Sequence, residues 1–234
     1  MIFSKYPQRV KLSEFLMYLI QTSNSSDDRI PPLSEMSKLL GISTTTLREQ
    51  LEEAKTLGLV EAKPKSGIKR LPFSFSPAVC KSLTYATTLD RKHFVHFSDL
   101  RNHIEEVYWF EAVKLLTRED LQTLKALVDS ARSKLRGNPI EIPHKEHRTL
   151  HLTIFSHLEN PFVFGLLEAY WDMYEAFGMN LYSDISYLEN VWSYHEKMVQ
   201  ALETGDFKAG YQALKEHMNL INLRNQTGNS QIFE

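Results

Sequence analysis

The stretch Leu33-Ser34-Glu35-Met36-Ser37-Lys38-Leu39-Leu40-Gly41-Ile42-Ser43-Thr44-Thr45-Thr46-Leu47-Arg48-Glu49-Gln50-Leu51 decides the fold of the first part of the chain. Ser34 to Leu40 reads as a short helix. Gly41 closes it, because glycine readily takes the left-handed conformation just past a helix end. Ser43 then stands as the N-cap of a second helix, with Leu47, Leu51 and Ala54 on one face. Upstream, Val10 to Gln21 carries Leu12, Phe15, Leu16 and Leu19 at helical spacing, and the polar run from Thr22 to Asp28 ends it. Downstream, Gly58 stops the second helix. Leu59–Ala62, the turn Lys63-Pro64-Lys65-Ser66-Gly67 and Ile68–Leu71 then read as strand, turn, strand.

Three helices followed by a basic hairpin make a winged helix-turn-helix. Its second helix would enter a DNA major groove by the N-terminal end, presenting Thr44, Thr45 and Arg48. Hydroxyls and a helix N-terminus suit phosphate, and arginine can fork onto guanine O6 and N7. Lys65, Lys69 and Arg70 on the hairpin would add backbone or minor-groove contacts. The same spacing also suits a small helical domain with a solvated charged face.

The whole chain has 234 residues and a formal charge of −2, which taken alone argues against a nucleic-acid partner. Its length suggests two domains, and the halves differ. Residues 1–75 hold 11 Lys/Arg against 8 Asp/Glu, a net of +3, and the remainder holds 16 against 21, a net of −5. A small basic module joined to a larger acidic one is the expected organisation. The single cysteine, Cys80, excludes an intramolecular disulfide framework and a cysteine zinc knuckle, and fits a reducing compartment. With no run of ~18 apolar residues and no signal-peptide layout at Met1–Lys5, the expectation is a soluble, cytoplasmic protein with no membrane partner.

Residues 76–97 read as a connector, with a helical stub over Ser82 to Leu89. Beyond it the pattern is helical throughout: Asp99 to Leu116, Arg118 to Arg136 capped by Thr117, then about 144–158, 161–181, 184–203 and 206–223. The expected fold is mainly α: the winged helix over 1–75, then an all-α bundle of about six helices over 98–234.

The bundle contains a pattern of histidines. His147 and His151 are four apart, on one face of one helix, while His195 and His217 lie on later helices. Antiparallel packing could gather all four in the core, where imidazole is a good ligand for Zn, Ni, Cu or Fe(II). No His-Glu-x-x-His arrangement is present. Glu146, just before the pair, is the one candidate for a general base or an outer-shell group. Hydrogen-bonded core histidines are the plainer alternative. His93, His96, His103, His144 and His157 do not share the layout.

Together the two halves resemble GntR-family transcription regulators of the FadR subfamily, which join a winged helix to an all-helical ligand-sensing (FCD) domain. The resemblance runs through Asp28-Arg29-Ile30-Pro31, Leu40-Gly41-Ile42-Ser43, Leu47-Arg48-Glu49-Gln50-Leu51 and Leu57-Gly58-Leu59-Val60 to Gly67. It resumes at Leu100-Arg101-Asn102-His103-Ile104-Glu105 and His147-Arg148-Thr149-Leu150-His151. It is most specific from Tyr194-His195-Glu196 to Gly205-Asp206, followed by Ala209, Ala213 and His217.

The resemblance implies a homodimer on double-stranded operator DNA, contacted by Ser43, Thr44, Thr45, Arg48, Lys65, Gly67 and Lys69. It also implies a divalent metal on His151, His195 and His217, with a small carboxylate effector beside it. His147 falls where the family usually has Asp; a neutral fourth ligand favours Zn or Ni over Mn or Mg. Arg101 matches the arginine that clamps the effector, a role suited to a bidentate guanidinium, although Glu105 at i+4 offers it an ordinary ion pair. Where the family often has arginines, this chain has Ser34 and Thr44, so Arg48 alone remains of that set. No catalytic activity is expected. The rivals are a metal-dependent hydrolase and a metal-free regulator sensing an acyl ligand.

Overall fold

The computed structural model describes residues 11–177 and 184–227, and the chain divides into two compact units after Ala78. The first contains α1 (Glu14–Gln21), β1 (Arg29–Ile30), α2 (Leu33–Leu40), α3 (Thr44–Thr56), β2 (Val60–Lys63) and β3 (Gly67–Arg70). Gly41 ends α2 at φ 69°, and the Ser43 hydroxyl accepts from the Thr46 amide to cap α3, as the sequence predicts. Helix α1 starts at Glu14, with Ser13 extended at its N-cap, instead of running from Val10, which lies outside the described residues. The Gln50 side chain reaches α1 from α3: its Oε1 accepts from the Phe15 amide at 2.9 Å, and its Nε2 donates to Glu14 at 2.6 Å.

A third strand, β1, joins the predicted hairpin. β3 lies between β1 and β2, antiparallel to both, with Ile30 opposite Ile68 and Ala62 opposite Ile68 on the other side. Two residues are too few to show an alternation, and Pro31-Pro32 disguise the strand. Phe15, Leu16, Leu19, Ile30, Met36, Leu47, Leu51, Ala54, Val60 and Ile68 form this unit's core.

The segment 76–97, read as a connector with a helical stub, is largely helical. Most of it is helix α4 (Ser76–Leu89), and α5 (Lys92–Ala112) begins within it. Pro77 occupies the first turn of α4, where its missing amide costs nothing. The threonines that weaken a helix reading bond backward instead: Thr84 Oγ1 donates to the Cys80 carbonyl at 2.6 Å, and Thr88 Oγ1 to the Thr84 carbonyl at 2.8 Å.

Next come α6 (Arg118–Leu135), α7 (His144–Ile154), α8 (Pro161–Ala176), α9 (Ile185–Glu203) and α10 (Phe207–Thr227). Thr117 and Asp120 form a reciprocal capping box on α6, and Asn160 and Asp184 cap α8 and α9. The predicted ends shift: α5 stops at Ala112 and α7 at Ile154, while residues 178–181, read as the end of α8, lie outside the described residues. Trp109, Trp171 and Trp192 are fully enclosed in the core. The Trp109 indole donates to the Phe207 carbonyl at 2.9 Å, and Gly210, without a side chain, lets α10 lie against the same ring.

Two glycines of the first unit test this account. Gly41 and Gly58 both have positive φ, but a Cβ on Gly58 would also fall 2.5 Å from Pro77 Cγ, whereas at Gly41 it meets nothing. Gly41→Ala should cost about 1 kcal/mol and Gly58→Ala about 3, the difference being overpacking. Denaturant unfolding followed by circular dichroism checks the order; equal losses would contradict it.

Candidate functional site

Four histidines converge inside the helical unit. His147 and His151 project one turn apart from α7, His195 from α9 and His217 from α10, with one ligand atom from each lying within 4.8 Å of the others. His151, His195 and His217 are fully buried and His147 half-buried. Trp171 and Trp192 wall the cluster, their rings 4.6 Å and 6.0 Å from that of His147.

Hydrogen bonding turns two of the rings inward. His195 Nδ1 lies 2.9 Å from the Val191 carbonyl, which can only accept, so Nδ1 carries the proton and a neutral ring keeps a bare Nε2. His151 Nε2 faces that atom at 3.1 Å. His217 has no hydrogen-bond partner on either ring nitrogen, and His147 none on Nε2, among the described residues. A buried polar atom without a partner costs about 1–3 kcal/mol, so these nitrogens are poorly satisfied by the protein itself. Four convergent imidazoles, two of them with unpartnered nitrogens, fit a divalent metal and could hold one.

Helix α5 supplies the surrounding charge. Arg101 Nε approaches Glu105 Oε1 to 2.8 Å, without the alignment of a hydrogen bond, and both side chains are buried. Glu105 Oε2 lies 3.0 Å from His151 Nδ1, and Arg101 Nη2 lies 3.1 Å from the same nitrogen. Arg101 also donates to Asn102 Oδ1 at 3.0 Å and stacks its guanidinium on Tyr170 and Trp171. Its ion pair with Glu105 is therefore an interior one, not the exposed pair that i,i+4 spacing suggests. Burial opposes ionisation of Glu105, but the Arg101 charge and the hydrogen bond from His151 hold its carboxyl below the usual range.

Burial pushes the basicity of His147, His195 and His217 well below the ordinary imidazole value, and the neighbouring rings and Arg101 add to it. For His151 burial again lowers it, with Glu105 opposing. Neutral rings are the ligating form.

Glu146 is not a base beside this cluster. Its Oε1 accepts from Ser130 at 3.0 Å and pairs with Lys134 at 2.8 Å, both on α6. His157 pairs with Asp120, His103 turns back to the Asp99 carbonyl, and neither His93, His96 nor His144 belongs to the cluster.

On the first unit, Ser43, Thr45, Arg48, Lys65, Gly67 and Lys69 are exposed and Thr44 half-buried. The Ser43 hydroxyl is occupied by its cap. Arg70 does not join them: strand alternation puts it on the same side as buried Ile68, and its guanidinium donates to the carbonyl and hydroxyl of Thr22, at the end of α1. Lys69, between them on the strand, faces solvent.

A winged helix followed by a helical domain with buried ligand groups is the architecture of a ligand-responsive transcription regulator. Residues 14–69 match the bacterial regulatory proteins of the gntR family, and residues 96–220 match the FCD domain. The chain belongs to the GntR-family transcriptional regulators that carry an FCD ligand-binding domain. A similar protein is YcbG of Bacillus subtilis (strain 168), an uncharacterized HTH-type transcriptional regulator, 24% identical over 218 residues, which span 89% of this chain and 85% of that protein. The fold is shared with Streptococcus agalactiae GntR (TM-score 0.64, 17% identity, 88% of this chain and 94% of that one). It is also shared with Escherichia coli McbR/YncC (TM-score 0.50, 18% identity, 93% and 99%). GntR regulators bind operator DNA. None of the helices described is long and apolar enough to cross a membrane.

The neutral histidines set a pH dependence. The unfolded chain takes up protons on its imidazoles near pH 6.5, while the folded, metal-free cluster resists them. The unfolded state then binds more protons as pH falls, so stability present above that pH is lost below it. Chelator-treated protein should unfold at lower urea at pH 5.5 than at pH 7.5, and His217→Leu should flatten part of the slope. An unmoved midpoint in the unsubstituted protein would contradict this.

Proposed function

We propose that the protein is a dimeric repressor or activator whose operator affinity answers to a small carboxylate bound beside a divalent metal in the helical unit. The observation that carries this reading is the convergence of His147, His151, His195 and His217 within a ligand-binding domain joined to a winged helix. Functionally, residues 1–75 form the reading head and 98–234 the sensing domain, with 76–97, largely α4, between them.

On the DNA side, Thr44, Thr45 and Arg48 at the start of α3 read the major groove, and Lys65, Gly67 and Lys69 meet the backbone beside it. Ser43 serves that end of the helix through its cap. With few arginines on this face, neutralised phosphates are few, and affinity depends on two heads engaging two half-sites at the spacing the dimer sets.

On the sensing side, four neutral imidazoles without a carboxylate select a Zn- or Ni-like ion over Mg or Mn. Held by these four histidines, such an ion would supply a Lewis-acidic position for the effector's carboxylate. Arg101 is the cation next to the cluster and the group expected to take that carboxylate. An effector that prefers one arrangement of the dimer shifts the population toward it and so changes operator affinity. In this reading the chain is a regulator and not an enzyme.

Two measurements test the reading. In gel shifts against DNA from its own gene neighbourhood, the protein should bind one segment selectively at low salt. Arg48→Ala should weaken that binding by roughly 10- to 100-fold, and Lys65→Ala should lower the salt slope by about one. Absence of selective binding would overturn the regulator reading. His195→Ala with His217→Ala should abolish the metal found by elemental analysis of tag-free protein; stoichiometric metal in that variant would refute the site.

A further inference from the structure

We infer that Glu105 is the positioning residue that holds His151 in its metal-binding tautomer, and that Arg101 favours the competing one. The inference rests on the reading of the cluster as a metal site.

Among the described residues, His151 Nδ1 alone of the cluster's ring nitrogens faces both a pure acceptor and a pure donor: Glu105 Oε2 at 3.0 Å and Arg101 Nη2 at 3.1 Å. A neutral imidazole can satisfy one of them. When Nδ1 accepts from Arg101, the proton sits on Nε2, which then donates to the bare Nε2 of His195 at 3.1 Å. This arrangement pairs the two Nε2 atoms without a cation and puts a proton where a cation would sit, but it leaves Glu105 Oε2 against a lone pair. When Nδ1–H donates to Glu105, two lone pairs confront each other at 3.1 Å, an arrangement favourable only with a cation between them. The ring is neutral in both forms; one proton leaves Nε2 and one arrives on Nδ1.

Both competitors are fixed in place. Glu105 and Arg101 are one turn apart on α5 and paired at 2.8 Å, and Arg101 is further held by Asn102, Tyr170 and Trp171. The choice therefore falls to the proton on His151, not to side-chain rearrangement. In the metal-binding tautomer, Arg101 Nη2 faces an N–H and has lost its acceptor. A buried guanidinium donor in that state is prepared for a carboxylate, so metal uptake should precede and favour effector binding.

Glu105→Gln separates this role from simple packing. Arg101 Nε claims the amide oxygen, which turns the amide NH₂ toward His151 Nδ1 and selects the wrong tautomer. The variant should bind Zn²⁺ on the order of 10- to 100-fold more weakly, with an unchanged far-ultraviolet circular dichroism spectrum. In ¹⁵N-histidine spectra of the unsubstituted protein, His151 should carry its proton on Nε2 without metal and on Nδ1 after Zn²⁺ is added. Unaltered Zn²⁺ affinity in Glu105→Gln, or zinc-loaded His151 lacking the Nδ1 proton, would overturn the inference. If the variant does not fold, the spectra of the unsubstituted protein decide alone. If Zn²⁺ leaves all four histidine spectra unchanged, the metal-site reading itself fails, and this inference with it.

Discussion

In the interior of the helical unit, His151 and His195 turn their Nε2 atoms to within 3.1 Å of each other, and much of the architecture serves that approach. The Val191 carbonyl, one turn back on α9, orients His195. Glu105, on α5, orients His151. His147 joins by sharing a helix face with His151, and His217 because α10 returns along α9. The contact of Gly210 and the Phe207 carbonyl with Trp109 ties that last helix to α5. An interior of imidazoles contributes less to stability than an apolar one would. The surrounding tryptophans, Leu150, Leu167 and Met198 supply the apolar burial that keeps the unit folded around it.

Helix α5 explains how a polar site can sit in such a core. Its buried positions are Phe94, Ser98, Arg101, Asn102, Glu105, Trp109 and Ala112, a helical stripe whose middle is polar and whose ends are apolar. The Arg101–Glu105 pair costs desolvation on both sides, and replacing such pairs by apolar groups often stabilises a protein. Here the cost is offset functionally: the pair places one acceptor and one donor against a single ring nitrogen.

The winged-helix unit follows a comparable division. Arg70, which its place on the basic hairpin offers to DNA, is taken up by the C-terminal end of α1, as Gln50 is by its start. Thr45, Arg48, Lys65 and Lys69 are left to solvent. A helix C-terminus carries unsatisfied carbonyls and partial negative charge, which is why a guanidinium settles on it.

Local chemistry made much of this visible in the sequence. Gly41, Ser43, Gly58, Thr117 with Asp120, and Asn160-Pro161 mark helix ends because they satisfy or spare backbone groups within a few residues. The i,i+4 spacing of His147 and His151 made them neighbours for the same reason. What depends on distant partners was not legible. β1 exists only because β3, nearly 40 residues on, pairs with it. Arg70 serves a helix end 48 residues away, and Glu105 meets His151 46 residues further on. Residue type and spacing therefore determined the helices, their caps and which histidines could ligate. Only tertiary packing decided which polar groups were buried, and hence which were left for DNA or a metal, because burial is a property of the assembled core and not of any segment.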